Sequence, residues 1–402
     1  MKMSENILQR SKAVMVPNYE PLPVIPVKGK GCKIIDIDGN EYIDFTGGIA
    51  VLALGHCHPK IVEALRIQSE KLWHVSNYYT NIPAIELAEL LCDLTFAEKV
   101  FFANSGSEVN EAALKLARRY SFDHFGIEKN KIISFHKSFH GRSLFTVTAG
   151  GQEKYRRGFG PLPPKILYSK CNDIENLKEV IDLDTCAVIM EPVMAEGGVI
   201  NVDPTFVAEV RQLCDQFETL LIFDEVQTGV GRTGSLFAYQ ELGIVPDILT
   251  TAKALASGFP MGAMLTRTDI AESFQPGSHG STFGGNPLAA TIAKETLKIV
   301  TEPKFLTGVK QKRKLFETEL DKINQDFPFM DFMSGKGLLL GCNLNNKFQG
   351  KGKKIMEKAL EKNLMILIAG PDVIRFAPSL LIENEEIIEG LKRFKQTLKA
   401  IS

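Results

Sequence analysis

Five short apolar runs, KIISF (131–135), CAVIM (186–190), TLLIF (219–223), DILTTA (247–252) and GAMLT (262–266), recur through the middle of the chain. Runs this short without polar alternation suit strands buried on both faces. Helical patterns lie among them at about 107–120 and 205–217, and Pro59 and Pro83 fit the first turns of two more helices. Strands alternating with helices predict a mostly parallel α/β sheet. At 402 residues the chain exceeds the roughly 250–300 that one hydrophobic core usually serves, so two domains are expected.

Residues 33–45 read as a hairpin, with IIDI and EYIDF flanking Asp38-Gly39, a dipeptide suited to a type I′ turn. From Asn286-Pro287 onward the pattern changes to a long amphipathic helix, the strand GLLLGCNL, another helix, a strand pair near 364–377 and a last helix over 384–400. The expected layout is an N-terminal segment (1–58) that joins the small domain, a large domain (59–287), and a C-terminal small α+β domain (288–402).

Lys plus Arg (47) nearly balances Asp plus Glu (48), so a net charge of −1 offers no general attraction for nucleic acid or anionic lipid. No segment approaches the ~20 apolar residues that span a bilayer. The opening MKMSENILQRSK lacks the apolar core of a signal peptide, and the seven Cys contain no C-x-x-C pair. A cytoplasmic protein with reduced, mostly buried thiols is expected. His56-x-His58 and His136…His140 have metal-like spacing, but neither gains a third ligand type, and no metal is expected.

Gly229-Val230-Gly231-Arg232-Thr233-Gly234 matches G-x-G-x-x-G. Its first Gly is displaced from the strand end by Asp224-Glu225-Val226-Gln227, and no acidic ribose partner follows, so a loop is the preferred reading over a dinucleotide site. Lys253 follows the strand DILTTA at its carboxyl end, where ligands of open α/β sheets gather and where a Lys can bond to a carbonyl cofactor. Asp224 ends TLLIF, where its charge would pair with a pyridine nitrogen and make the ring an electron sink, and Gln227 follows within reach of a ring oxygen. Ser105-Gly106-Ser107-Glu108 opens a helix with capping-box spacing, a setting for phosphate on free N–H groups. Phe139 can stack on a flat ring, and Arg142 can clamp a carboxylate. Each of these residues taken alone has an ordinary structural use; their co-occurrence carries the argument.

NSGSEVNEAALKLAR, SFHGRSLFT, EPVMAEGGV, FDEVQTGVGRTG, TTAKALASGFP, HGSTFGGNP and RFAPSL occur in that order, within a match that runs from about Tyr19 to Arg375. This series resembles the subgroup-III aminotransferases of pyridoxal phosphate (PLP) fold type I, and among them the acetylornithine aminotransferases of arginine biosynthesis. The resemblance implies a PLP enzyme in which Lys253 binds the cofactor and moves the proton, and Asp224 pairs with the ring nitrogen. Gln227 would contact the phenolic oxygen, Gly106 and Ser107 hold the phosphate, and Phe139 stack on the ring. Thr282 would reach the phosphate of the neighbouring subunit, which implies a homodimer with shared active sites.

For substrates the resemblance implies that Arg142 binds the distal carboxylate of N-acetylornithine or glutamate. Arg375 would bind the α-carboxylate of glutamate or 2-oxoglutarate, with Glu196 pairing Arg375 when none is present. Ile49 stands where ornithine aminotransferases resemble one another in carrying Tyr, which favours a blocked α-nitrogen, and Tyr19 would supply a hydroxyl. Ornithine, 4-aminobutyrate, succinylornithine and succinyl-diaminopimelate remain alternative donors. Met194 and Ala195 depart from the EP-x-QGEGG pattern usual in the family beside Glu196.

Overall fold

The structure, a computed structural model, describes residues 3–401. Its centre is a seven-stranded sheet: β1 (Lys99–Ala103), β2 (Lys131–Phe135), β3 (Ile166–Ser169), β4 (Thr185–Met190), β5 (Leu220–Asp224), β6 (Ile248–Thr251) and β7 (Gly262–Thr266). The spatial order is β1-β7-β6-β5-β4-β2-β3. Every pairing is parallel except those of β7, which runs antiparallel to both β6 and β1. Strands β4 to β7 are buried at every residue, as a sheet covered on both faces requires. Full burial of each Val, Leu or Ile side chain there stabilises by roughly 1.5–3 kcal/mol relative to exposure.

The five anticipated interior strands are thus present and the sheet is mostly parallel. Two strands escaped the sequence pattern, β1 and β3, and they are the two edges of the sheet. Their half-exposed residues weaken the apolar signal. Pro59 and Pro83 do sit in the first turns of helices Pro59–Ser69 and Ile82–Leu94, where a missing N–H costs nothing.

The hairpin strands Lys33–Asp36 and Glu41–Asp44 pair antiparallel, but not through a type I′ turn. Gly39 has φ 86° while Asp38 keeps a negative φ, so the loop is a type I turn closed by one left-handed glycine. The Asp36 carboxylate selects this form by accepting from the N–H groups of Asp38 and Asn40 and from the Asn40 amide. This hairpin shares a four-stranded sheet with Pro26–Lys30 and with Leu364–Met365, which runs parallel to Glu41–Asp44. The run 364–377 is therefore split. Its first two residues join the N-terminal strands, while Leu367–Ile368 and Val373–Phe376 pair in a separate antiparallel sheet with Leu339–Leu344 and Met330–Lys336. Helices Phe305–Asp326, Gly352–Leu360 and Asn384–Lys399 complete this end.

The G-x-G-x-x-G stretch is a packed loop. Gly231, at φ 86°, lies where an added Cβ would come within 3.0 Å of Val300 Cγ1. Arg232 is wholly buried and donates through Nη1 to the carbonyls of Leu338 (2.9 Å) and Pro378 (2.6 Å). Gly231 and Gly234 allow close packing against the C-terminal part of the chain, and Gly229 packs against Phe237.

Candidate active site

The carboxyl ends of β1, β2, β4, β5 and β6 converge on a cavity of about 210 Å³ lined by Gly106, Ser107, Asn110, Phe139, His140, Gly141, Arg142, Glu191, Asp224, Val226, Gln227 and Lys253. This is the crevice where ligands of parallel sheets are expected.

Lys253 comes two residues after β6 and starts a short 3₁₀ turn, Lys253–Ala256. Its φ of 40° is unusual for a residue with a side chain, and strain of this kind concentrates at functional positions. Burial pulls its amine down to about 8; the charges of Glu196 and Asp224 oppose that, and Arg375 adds to it. A Lys in this state is available as a neutral nucleophile far below the usual lysine range.

Asp224 is the last residue of β5 and 3% exposed. Its Oδ2 accepts from Asn110 Nδ2 and meets His140 Nδ1, both at 2.7 Å, while Oδ1 accepts from the N–H of Val226 at 3.0 Å. Asn110 is fixed in turn, donating also to the carbonyl of His140 (2.8 Å) and accepting from Thr250 Oγ1 (2.6 Å). An ionised carboxylate accepts, so His140 carries its proton on Nδ1 and turns Nε2 toward Ser134 Oγ at 3.3 Å. Sequence reasoning missed Asn110 and weighed His140 only as a metal ligand; the sole signal for His140 was its place between Phe139 and Arg142 in the same loop.

Gly106 and Ser107 open the helix Gly106–Phe125, capped by Ser105, whose Oγ accepts from the N–H of Glu108 (3.2 Å). Glu108 reaches back to the N–H of Asn104 (2.9 Å) and accepts from Ser105 Oγ (2.9 Å), a variant of the capping box displaced by one residue. The first N–H groups of a helix lack intrahelical acceptors, so this end suits an anion. A Cβ on Gly106 would stand 2.7 Å from Val226 Cγ1, and one on Gly141 would stand 2.4 Å from Ser107 Oγ, so both glycines keep the cradle open.

Glu191 is buried after β4 and accepts from the N–H groups of Phe139 (2.9 Å) and Ala195 (3.3 Å). Burial pushes its carboxyl up to about 7. Phe139 meets Tyr155 edge-on at 5.9 Å, and the guanidinium of Arg142 lies 3.9 Å from the Tyr155 ring centre.

Beside Lys253, Arg375 Nη1 donates to Glu196 Oε1 (2.6 Å), Gln227 Oε1 (3.3 Å) and the carbonyl of Ala195 (3.2 Å). Gln227 Nε2 also donates to Glu196 at 3.3 Å. Burial alone would raise the Glu196 pKa, but the charges of Arg375 and Lys253 and the two side-chain hydrogen bonds outweigh it and hold the carboxylate below its usual range.

Within one chain Tyr19, Ile49 and Thr282 do not line the cavity. Tyr19 lies outside any helix or strand and is 83% exposed. Ile49 belongs to a left-handed turn over Gly47–Ala50, with φ 64°, and is exposed rather than packed in core. Thr282 is exposed beside a groove formed by residues 77–81 and 279–285. Among the remaining histidines, His56 pairs with Asp44 at 2.8 Å. Among the described residues no group of three or more His, Cys, Asp or Glu has the arrangement to hold a metal ion.

A buried acid, a lysine with a lowered pKa, a flat aromatic wall and a helix N-terminus around one cavity fit a small aromatic ring carrying an aldehyde, a basic nitrogen and a phosphate. The family model for class-III aminotransferases matches residues 14–398. The chain is 55% identical to a succinylornithine transaminase of Photorhabdus laumondii over 398 residues, covering 98% of this chain and 99% of that one. It is 54% identical to an acetylornithine aminotransferase of Shewanella oneidensis over 390 residues, 97% of this chain and 96% of that one. The fold is similar to the crystal structure of the N-acetylornithine aminotransferase of Stenotrophomonas maltophilia, with a TM-score of 0.87, 38% identity, and coverage of 98% of this chain and 99% of that one.

Proposed function

The chain belongs to the class-III aminotransferases, PLP-dependent transaminases of fold type I, and we propose that it moves the terminal amino group of N2-acetyl-L-ornithine to 2-oxoglutarate. The products are N-acetylglutamate 5-semialdehyde and glutamate, a step of arginine biosynthesis. Bound PLP supplies an aldehyde that accepts the amino group and a ring that withdraws electrons from the carbon losing its proton.

The residues take these roles. Lys253 holds the cofactor and carries the proton between carbons through its amine. Asp224, oriented by His140 and Asn110, keeps the ring nitrogen protonated. The N–H groups at Gly106 and Ser107 bind the phosphate, Phe139 packs on the ring face, and Gln227 donates to the ring oxygen. Arg142 takes the carboxylate distal to the reacting amine.

The observation that carries the substrate reading is the Glu196–Arg375 pair at 2.6 Å beside Lys253. An unpaired buried Arg is costly, so a carboxylate that covers it lets the site accept a donor whose reacting amine has no neighbouring carboxylate. Glutamate, which has one, displaces Glu196 and pairs with Arg375 itself. Ile49 and Tyr19 would face the donor from an adjoining subunit or after the N-terminal segment closes.

A homodimer in the cytoplasm is part of the proposal. Its support is an exposed aromatic face around Trp73, Tyr78, Tyr79, Ile82 and Phe283, joined by the hydrogen bond from Asn77 Nδ2 to the Ser281 carbonyl and the contact of His74 with Phe283. Patches of this kind mark protein–protein contacts. Thr282, exposed next to Phe283, would serve a partner's phosphate. We also assign residues 1–58 and 288–402 to a small domain and 59–287 to a large one.

The succinyl-blocked donor is the second reading, favoured by the likeness to the Photorhabdus enzyme. The test is the absorption spectrum of the holoenzyme mixed with one amino donor and no keto acid. N-acetylornithine or N-succinylornithine should convert the cofactor from its aldehyde-derived to its amine form. A spectrum moved only by glutamate and by ornithine or 4-aminobutyrate would overturn the acylated-donor assignment and leave the transaminase standing.

A further inference from the structure

Arg142 is exposed and makes no ion pair among the described residues, yet its guanidinium is held. It lies 3.9 Å from the ring centre of Tyr155 and 5.6 Å from that of Phe139. Tyr155 closes a 3₁₀ turn, Glu153–Tyr155, and meets the Phe139 ring edge-on at 5.9 Å, with an interplanar angle of 86°. A second cation, Lys154 Nζ, stands 4.7 Å from the same ring. The Tyr155 ring thus touches both the aromatic wall of the cofactor cavity and the arginine assigned to the substrate.

We propose that Tyr155 is a positioning residue for substrate specificity, a platform that fixes the Arg142 guanidinium so that it meets a carboxylate distal to the reacting amine. This deepens the proposed function and rests on Arg142 binding that carboxylate. A flexible exposed arginine loses side-chain freedom when it clamps a ligand, and holding it in advance on a ring lessens that cost. The ring's negative face attracts the guanidinium without occupying its N–H donors, which stay free for the two oxygens of a carboxylate. Without the ring Arg142 swings out, and binding weakens while the chemistry at Lys253 is untouched.

The test is single-donor half-reaction kinetics with N-acetylornithine and with glutamate, on holoenzyme carrying Tyr155→Leu, Tyr155→Phe, Arg142→Ala, and Arg142→Ala with Tyr155→Leu. Tyr155→Leu should raise the half-saturating concentration of both donors about fivefold, equivalent to roughly 1 kcal/mol, with the limiting rate unchanged. Tyr155→Phe should stay within twofold of the parent, because the ring and not the hydroxyl acts. In the Arg142→Ala background the Leu change should add nothing.

Should the Leu variant fail to fold, phenylalanines bearing one to four fluorines at position 155 weaken the ring's negative face in place, and half-saturation should climb with fluorine number. A fall in limiting rate with unchanged half-saturation, a Phe variant as impaired as Leu, or a flat fluorine series would each overturn the proposal. An Arg142→Ala enzyme with unchanged half-saturation would overturn the Arg142 assignment and this inference with it. A raised value there beside an unaffected Tyr155→Leu would overturn the part of Tyr155 alone.

Discussion

Glu196→Ala separates the two half-reactions. In the parent, Arg375 is 2% exposed; among the described residues its partners are Glu196 Oε1 at 2.6 Å and the neutral acceptors Ala195 O and Gln227 Oε1, at 3.2 and 3.3 Å. Removing one partner of a buried pair costs ~3–5 kcal/mol when nothing replaces it. The Glu196 side chain is 25% exposed, so water enters the vacated place in the free enzyme and the loss there is smaller. The methylenes of an acylated ornithine then displace that water and leave the guanidinium without a charged partner. Discounted for screening, the penalty is about 2 kcal/mol, or roughly 30-fold in the rate constant per unit of N-acetylornithine at low concentration. Glutamate brings its own α-carboxylate to Arg375, so its half-reaction should change little or quicken, since no residue has to be displaced. Rapid mixing of holoenzyme with each donor alone, followed at the cofactor's absorption band, measures both. Equal slowing of the two half-reactions would refute the argument.

Two further outcomes follow from buried titrating groups. Because burial pulls Lys253 down to about 8, the rate at which apoprotein recaptures PLP should rise with pH and level off above about pH 8; a rate still climbing toward pH 10 would contradict this. Glu225, wholly buried, accepts from the N–H groups of Ala238 and Tyr239 and from Thr228 Oγ1, and burial pushes it up to about 7 from an unfolded value of 4.5. The folded chain then holds a proton that the unfolded chain has released, so this contribution to stability is full below pH 4.5 and is lost as pH rises through 7. The stability difference between the parent and Glu225→Gln, from urea midpoints at pH 5 to 8, should fall across that window, and a pH-independent difference would sink the assignment.

What could be read in the sequence follows burial closely. Interior strands such as β4 are buried at every position because both faces are covered, and the five residues after Thr185 are apolar, visible as CAVIM. The edges β1 and β3 mix exposed and half-buried residues and left no pattern. The Asp38-Gly39 turn was misjudged because its form is set by the carboxylate of Asp36, two residues before Asp38, rather than by the dipeptide itself. Splitting of 364–377 between two sheets could not be read locally, since Leu364–Met365 pairs with strand Glu41–Asp44, far away in the chain. In the cavity, Asp224 stood out because it ends a strand and Lys253 because it closely follows one. Asn110, His140 and Tyr155 were silent because their value lies in distances to other side chains, which no spacing in the sequence encodes.

The reversed direction of β7 has a consequence for how the enzyme is made. By backbone pairing, β1 is joined to the rest of the sheet only through β7, the last of the seven strands to leave the ribosome. The helix end at Gly106 and Ser107 follows β1 directly, so the anion cradle is synthesised early; Asn110 of that helix reaches β5 and β6 directly, but β1 itself pairs into the sheet when β7 slots between β1 and β6. Insertion into the middle of a sheet is a long-range event and intrinsically slow. Cofactor that binds only the finished arrangement would stabilise it by mass action.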